Sequence, residues 1–140
     1  MAINLHLAQK YEGPMHFAGR GVLGLAAQWS FWAMLETEAL VLDLLQHRAV
    51  LPEFARDPSY AERDELLLKK PLGVLNEALA GHDYLVGNSF TVADLNVAGI
   101  LVWGKMGRLN LSNHPEVTRW FEACLARPAY GRVRQRASGK

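Results

Sequence analysis

The sequence predicts an all-α fold, a helical bundle, and three observations support this. Apolar residues recur at the spacing of one helix face along most of the 140 residues. Helix start signals precede several of these stretches, most clearly Asp57-Pro58 and Thr91-Val92-Ala93-Asp94. The strict alternation of apolar and polar residues that marks a half-buried strand is almost absent.

Two helices are expected in the N-terminal third of the chain. The first spans residues 2–11, where Ile3, Leu7 and Tyr11 share a face with Ala8, and residues 13–21 form a linker after it. The second spans residues 22–49, and its first half is apolar on nearly all sides. A helix that is apolar all round must be covered all round, so we expect this half to contact a second body.

A third helix is predicted from Asp57-Pro58 to about Ala80. Aspartate can cap the helix with its carboxylate, and proline suits the first helical position. Gly81 ends it. Pro71 lies inside this helix, where it removes one backbone hydrogen bond and predicts a kink.

The next helix, over residues 92 to about 106, has the strongest start signal in the chain. The Thr91 hydroxyl can cap it while the Asp94 carboxylate reaches back to the Thr91 amide, an arrangement called a capping box. Phe90 and Leu95 can close over the box as a hydrophobic staple. Apolar residues surround most of this helix, so we expect it to be the buried centre of the bundle.

Two helical segments are expected at the C-terminal end. Asn113 or Ser112 starts a helix that runs to about Ala126, and residues 129–136 add one short turn. Cys124, the only cysteine, lies on an apolar stripe of the first segment. It is predicted to be a buried, inert thiol rather than a nucleophile.

Charge is unevenly distributed although the formal net charge is only +1. Residues 1–94 carry seven basic and twelve acidic side chains, and residues 95–140 carry eight basic and two acidic ones. The simplest interpretation of the basic end is a solvated tail, and a weak patch for anions or nucleic acid is the alternative. Aromatic residues are not interleaved with these charges beyond Tyr130, so nucleic-acid binding is not predicted.

Several classes of function find no support in the sequence. No apolar run reaches membrane length, the N-terminal residues lack a signal-peptide layout and one cysteine permits no internal disulfide, so we expect a cytoplasmic protein. The five histidines lack metal-ligand spacing, and neither a nucleophile elbow nor a phosphate-binding glycine loop occurs. No catalytic residue, metal site or bound cofactor is therefore assigned to the chain.

The order and spacing of short motifs resemble the helical C-terminal domain of glutathione transferases, with bacterial members the most similar. Each motif is weak alone, but together they cover nearly the whole chain. The motifs are Gln28-Trp29 with Trp32, Leu45 with His47-Arg48, Pro71-Leu72 with Leu75 and Leu79, Tyr84-Leu85-Val86-Gly87, Phe90 to Leu95, His114-Pro115 with Trp120, and Arg127-Pro128-Ala129.

The resemblance implies a domain organisation. Residues 1–12 resemble the last helix of the family's thioredoxin-like domain, residues 13–21 the linker, and residues 22–140 the C-terminal helical domain. The rest of the thioredoxin-like domain, with the Ser, Tyr or Cys that activates glutathione, is missing from the sequence. We therefore expect this chain alone to lack the glutathione thiol site, and residues 1–20 to be mobile or to pack against another copy. A trimmed sequence, a misassigned start codon and a truncated gene would look alike.

The resemblance also implies where substrates bind. Electrophilic substrates of the family lie against the first half of the long helix and part of the central one. Phe31, Trp32 and Leu35 are therefore candidate substrate-binding residues, with Trp103 and Met106 as weaker candidates. Core packing or a dimer contact is the alternative role for each of them.

Three functional hypotheses follow. The favoured one is a substrate-binding and dimerisation domain of a glutathione S-transferase-like protein, whose full-length form transfers its co-substrate glutathione to hydrophobic electrophiles. A homodimer through helices 22–49 and 58–80 is part of it. The second is a complete enzyme whose N-terminal half is missing from the sequence. The third is a non-catalytic protein-protein interaction module, because similar helical domains occur in translation elongation factor subunits and some aminoacyl-tRNA synthetases.

Overall fold

The structure, a computed structural model, describes residues 1–11 and 20–139, without the side chain of Arg20. Every regular element in these residues is a helix, which confirms the predicted all-α fold. None of the described helices combines the length and the apolarity needed to cross a membrane. The α-helices are α1 (Ala2–Lys10), α2 (Arg20–Trp32), α3 (Ala39–Leu45), α4 (Pro58–Ala78), α5 (Val92–Met106), α6 (Pro115–Leu125) and α7 (Pro128–Ala137).

One long helix contains α2 and α3. A π-helical segment, Ala33–Glu38, joins them without a break, and a second one, Gln46–Val50, follows α3. The predicted helix over residues 22–49 is therefore present, and the two π-helical segments are features that its apolar pattern does not indicate. Most of the predicted linker, residues 13–21, lies outside the described residues, but Arg20 and Gly21 already belong to α2.

α5 is the buried centre of the bundle, and its bounds agree with the predicted helix. It packs against α1, α2, α3, α6 and the first π-helical segment. Val92 and Val97 are fully buried, and Gly107 at its C-terminal end allows close approach to α3. A Cβ atom at Gly107 would clash with the Leu44 side chain and press against the Leu45 backbone.

α1 lies against α2 and α5 of its own chain. Ala8 is buried and Leu5 packs beside it, whereas Ile3 and Leu7 stay 74% and 45% exposed. A second face of this helix, carrying Asn4, Leu5 and Ala8, packs inside the chain, while the apolar face with Ile3 and Leu7 stays uncovered. The expectation that residues 1–20 are mobile or pack against another copy stays a prediction.

The starts of α4 and α6 are capped in different ways. Asp57 Oδ1 accepts a hydrogen bond from the Ser59 amide at 2.9 Å, as the Asp57-Pro58 signal predicts. The predicted cap of α6 by Asn113 or Ser112 is wrong, because His114 occupies the cap position and its side chain makes no capping bond.

Asn76, from α4, supplies the missing cap of α6. Its Oδ1 accepts hydrogen bonds from the amides of Glu116 at 3.0 Å and Val117 at 3.3 Å. The helix after it, α7, spans ten residues and is longer than the short turn expected over residues 129–136.

Candidate functional site

The start of α5 is organised around the carboxylate of Asp94, which is fully buried. Asp94 Oδ2 accepts hydrogen bonds from the Thr91 amide at 2.8 Å and the Thr91 hydroxyl at 3.1 Å. Thr91 Oγ1 accepts from the Ala93 amide at 3.2 Å, which completes the capping box. Asp94 Oδ1 accepts two further bonds, from the Leu85 amide at 2.9 Å and from Trp120 Nε1 at 2.8 Å.

Asp94 therefore joins three parts of the chain: the loop before α5, the start of α5, and α6. Its acceptor positions are filled by protein donors, so the carboxylate has no free side for a substrate. The two extra donors lie nine and 26 residues away in the sequence, beyond the reach of a local capping signal.

Phe90, directly before the box, is buried between an aromatic and a cationic neighbour. The Arg127 guanidinium carbon lies 3.8 Å from the centroid of its ring, and Tyr84 meets the ring edge-on at 6.3 Å. Leu95 is 37% exposed and lines cavities on two sides of α5. The staple between Phe90 and Leu95 stays a prediction.

A cavity of about 350 Å³ lies between α1, the first π-helical segment and α5, and we call it the α1–α5 cavity. Its volume is at the lower end of the roughly 300–1,000 Å³ that is usual for ligand sites. An apolar wall with a few polar groups, as found here, is typical of small-molecule sites. The wall consists of Met1, Asn4, Met34, Glu38, Leu95, Asn96, Gly99, Ile100 and Trp103.

A chain of hydrogen bonds fixes the amide wall of this cavity. Asn4 Nδ2 donates to Asn96 Oδ1 at 2.8 Å, and Asn96 Nδ2 donates to Ser30 Oγ at 2.8 Å. Ser30 Oγ in turn donates to the Ala26 carbonyl at 2.7 Å. This network joins α1, α5 and α2 and orients both amides, while Asn4 Oδ1 receives no hydrogen bond from the described residues.

The first π-helical segment contributes Met34 and Glu38 to the cavity wall. Its buried Thr37 donates a hydrogen bond to the Ala33 carbonyl one turn back, at 2.7 Å. Such a π-helical segment changes which side chains of a helix face its neighbour, and segments of this kind often occur at functional sites. Here it brings a methionine and a carboxylate to the side that faces α1 and α5.

The predicted substrate-binding residues do not meet at one cavity. Trp103 lines the α1–α5 cavity. Leu35 lines a different cavity of about 320 Å³, between the long helix and α4. Phe31 and Met106 are 60% and 58% exposed and lie outside both cavities.

Trp32, the remaining candidate, is half-buried and packs against the main core. It meets Trp29 edge-on with ring centroids 5.2 Å apart. Its observed surroundings match the core-packing alternative, and a direct role in substrate binding stays a prediction.

Met34 and Glu38 line the α1–α5 cavity but are not among the predicted substrate-binding residues, and their spacing in the sequence relates them to Ser30. Ser30, Met34 and Glu38 are spaced by four residues and form one stripe, which leads into the same cavity as Asn96 and Trp103 of α5. The family resemblance instead indicates Phe31 and Leu35, which lie one position further along the helix on the adjacent stripe.

A larger cavity of about 510 Å³ lies between α5, α6 and α7, and we call it the α7 cavity. Its wall is mainly apolar and includes Leu125, Val133 and Cys124. Burial raises the pKa of the Cys124 thiol from 9.0 to about 12, and the charge of Asp94 adds to the effect. The thiol is therefore neutral at neutral pH, which agrees with the predicted buried and inert cysteine.

The described residues contain no group of three or more His, Cys, Asp or Glu side chains that could hold a metal ion. The fold and its cavities instead define a helical bundle with a capped central helix and a ligand-sized cavity beside it. The sequence model described as "Glutathione S-transferase, C-terminal domain" matches residues 34–128, more than half of the chain. The chain therefore belongs to the family of glutathione S-transferase C-terminal domains.

The chain is similar in sequence to glutathione S-transferases and to elongation factor 1-gamma proteins. Glutathione S-transferase 3 of Zea mays is 33% identical over 142 residues, which cover 92% of this chain and 61% of the relative. Elongation factor 1-gamma of Prunus avium is 31% identical over 109 residues, which cover 76% of this chain and 25% of the relative. The chain thus spans less than two thirds of either relative.

One solved structure shows the shared fold. The glutathione transferase URE2P5 of Phanerochaete chrysosporium, cocrystallised with 1-(S-glutathionyl)-2,4-dinitrobenzene, superimposes with a TM-score of 0.83 at 24% identity. The match covers 99% of this chain and 67% of that one.

Proposed function

We propose that this chain is the helical substrate-binding and dimerisation domain of a cytoplasmic glutathione S-transferase-like protein. In this proposal residues 22–140 form that domain, residues 13–21 are the linker, and residues 1–12 are the last helix of a thioredoxin-like domain. The full-length form would transfer glutathione to hydrophobic electrophiles. The observation that carries the proposal is the α1–α5 cavity in a chain of this family, beside the long helix and the central helix.

The described residues of this cavity are suited to bind an apolar electrophile rather than to activate the thiol of glutathione. Burial of an apolar molecule against Met34, Ile100 and Trp103 is favourable by about 25 cal/mol per Å² of apolar surface. A thiol that titrates near ~8.5 needs a donor or a positive field to become a thiolate at neutral pH. The described cavity wall has no Lys, Arg or His side chain, and its asparagine amides donate to Asn96 and Ser30, so we propose that this chain alone does not activate glutathione.

Dimerisation through the long helix and α4 is the second part of the proposal. Leu35 and Leu67 line the cavity between these helices and are 81% and 50% exposed, which leaves apolar surface for a second copy to cover. Light scattering should show a dimer, and Leu35→Glu should shift it to monomer. A wild-type monomer at high concentration contradicts this part.

The binding role is tested by calorimetric titration with 1-(S-glutathionyl)-2,4-dinitrobenzene and with glutathione alone. We expect the conjugate to bind and glutathione alone to show no micromolar affinity. Met34→Ser should weaken binding of the conjugate. Met106→Ser, a control outside the cavity, should leave the affinity unchanged. Micromolar binding of glutathione alone would overturn the claim that the thiol site is missing.

A non-catalytic protein-protein interaction module is the second candidate function. The identity of 31% with elongation factor 1-gamma, over 76% of this chain, favours it. On this hypothesis the conjugate does not bind, and affinity purification with the chain recovers a stable protein partner. Absence of both conjugate binding and a partner counts against both candidate functions.

A further inference from the structure

Glu38 is the only charged side chain on the described wall of the α1–α5 cavity. It is half-buried, and none of the ion pairs formed by the described residues includes it. Met1 lines the same cavity, and its amino group forms none of the ion pairs of the described residues. A carboxylate that is partly removed from water favours a cation as its partner.

The rest of the cavity wall is also suited to a cation with an apolar body. Trp103 offers an aromatic ring, and aromatic faces attract ammonium groups. Asn4 Oδ1 is a hydrogen-bond acceptor that the amide network leaves open. Met34 and Ile100 supply apolar surface, and no Lys, Arg or His side chain is among the described residues of the wall.

We propose that the α1–α5 cavity selects apolar molecules that carry a protonated amine. Glu38 pairs with the ammonium group, and Trp103, Met34 and Ile100 enclose the apolar body. This inference rests on the proposed function, because it names the class of molecule that enters the same cavity. Apolar carboxylates small enough to lie wholly inside the cavity are disfavoured, since the charge of Glu38 repels them. A glutathione conjugate differs, because only its apolar dinitrophenyl ring has to enter the cavity.

Glu36 provides a matched control for Glu38. Both glutamates belong to the first π-helical segment, but Glu36 is exposed and lines the cavity between the long helix and α4 instead. Glu36→Gln therefore removes the same charge from the same segment without altering the α1–α5 cavity.

The test uses three probes of similar size: 2-phenylethylamine, 2-phenylethanol and 3-phenylpropionate. Each is titrated into the full chain at neutral pH while the indole N–H signal of Trp103 is followed by NMR. We expect the amine to bind about tenfold more tightly than the alcohol, and the carboxylate to bind most weakly. Glu38→Gln should abolish the preference for the amine, and Glu36→Gln should retain it.

Two results would overturn the inference, and they differ in what they mean for the proposed function. If the alcohol binds as tightly as the amine, or both variants behave alike, the charge selection is wrong and the apolar site stands. If none of the probes binds, the inference and the α1–α5 cavity as a binding site both fail. Circular dichroism of each variant establishes that it is folded, so that a loss of binding is not a loss of structure.

Discussion

Asp94 and Glu38 are carboxylates in two contrasting environments. Asp94 is fully buried and accepts four hydrogen bonds from its own chain. Glu38 is half-buried at a cavity and accepts none from the described residues. A carboxylate with filled acceptor positions holds the fold together, whereas one with open positions is available to a ligand. The strongest sequence motif, the capping box with Asp94, therefore stabilises the fold.

The largest expected effect is that of Asp94→Ala. It leaves the buried donors of Thr91 and Trp120 and the part-buried Leu85 amide without their acceptor, and each unpaired buried donor costs about 1–3 kcal/mol. We expect the free energy of unfolding, measured by urea denaturation, to fall by about 3–5 kcal/mol. Asp83→Ala removes an exposed carboxylate that pairs with Arg119 and should cost less than about 1 kcal/mol. Equal effects would contradict the structural role assigned to Asp94.

Asn76→Ala tests the cap that comes from a distant helix. The change removes the acceptor for the Glu116 and Val117 amides, so the free energy of unfolding should fall by about 1–2 kcal/mol. Asn113→Ala removes a residue that the sequence predicts as the cap of α6, and it should change the free energy of unfolding little. A larger loss from Asn113→Ala than from Asn76→Ala, in the same denaturation assay, would show that the cap is local after all.

Thr91→Ala should cost about 1 kcal/mol, because it removes the hydroxyl that accepts from the Ala93 amide. Thr91→Ser keeps that hydroxyl and serves as the control in thermal and urea unfolding. An unchanged stability of the alanine variant would mean that Asp94 alone sustains the start of α5.

Glu38→Gln should have the smallest effect on stability. No hydrogen bond from the described residues depends on the charge of Glu38, so the free energy of unfolding should stay within about 0.5 kcal/mol of the wild type. A loss well above this range in urea denaturation would give Glu38 a structural role and would remove the contrast with Asp94.

The sequence predicts α5 better than any other element, because its signals are local. Thr91 and Asp94 are three residues apart, and the helix they start has the predicted bounds. The cap of α6 by Asn76 joins residues about 40 apart, and the bond from Trp120 to Asp94 joins residues 26 apart. Contacts of this kind depend on tertiary packing, which periodicity and capping rules do not describe.

The predicted substrate-binding residues stay a prediction, and the structure places them at different surfaces. Trp103 lines the α1–α5 cavity, but Leu35 faces the cavity beside α4. These residues are separated because adjacent positions on the long helix face different neighbours. The π-helical segment further changes the direction in which the side chains after it point. Met34 and Glu38 lie on the same helix stripe as Ser30. The hydrogen bond between Ser30 and Asn96 shows that this stripe faces α5, which the sequence alone does not reveal.

The most direct test of the central claim is to locate where a glutathione conjugate binds on the chain. The probe is 1-(S-glutathionyl)-2,4-dinitrobenzene, and the readout is the set of NMR signals that shift on titration. We predict shifts at the Met34 methyl group, at Ile100 and at the Trp103 indole, which line the α1–α5 cavity. Shifts confined to Leu125 and Val133, which line the larger α7 cavity, or no shifts at all, would contradict the account.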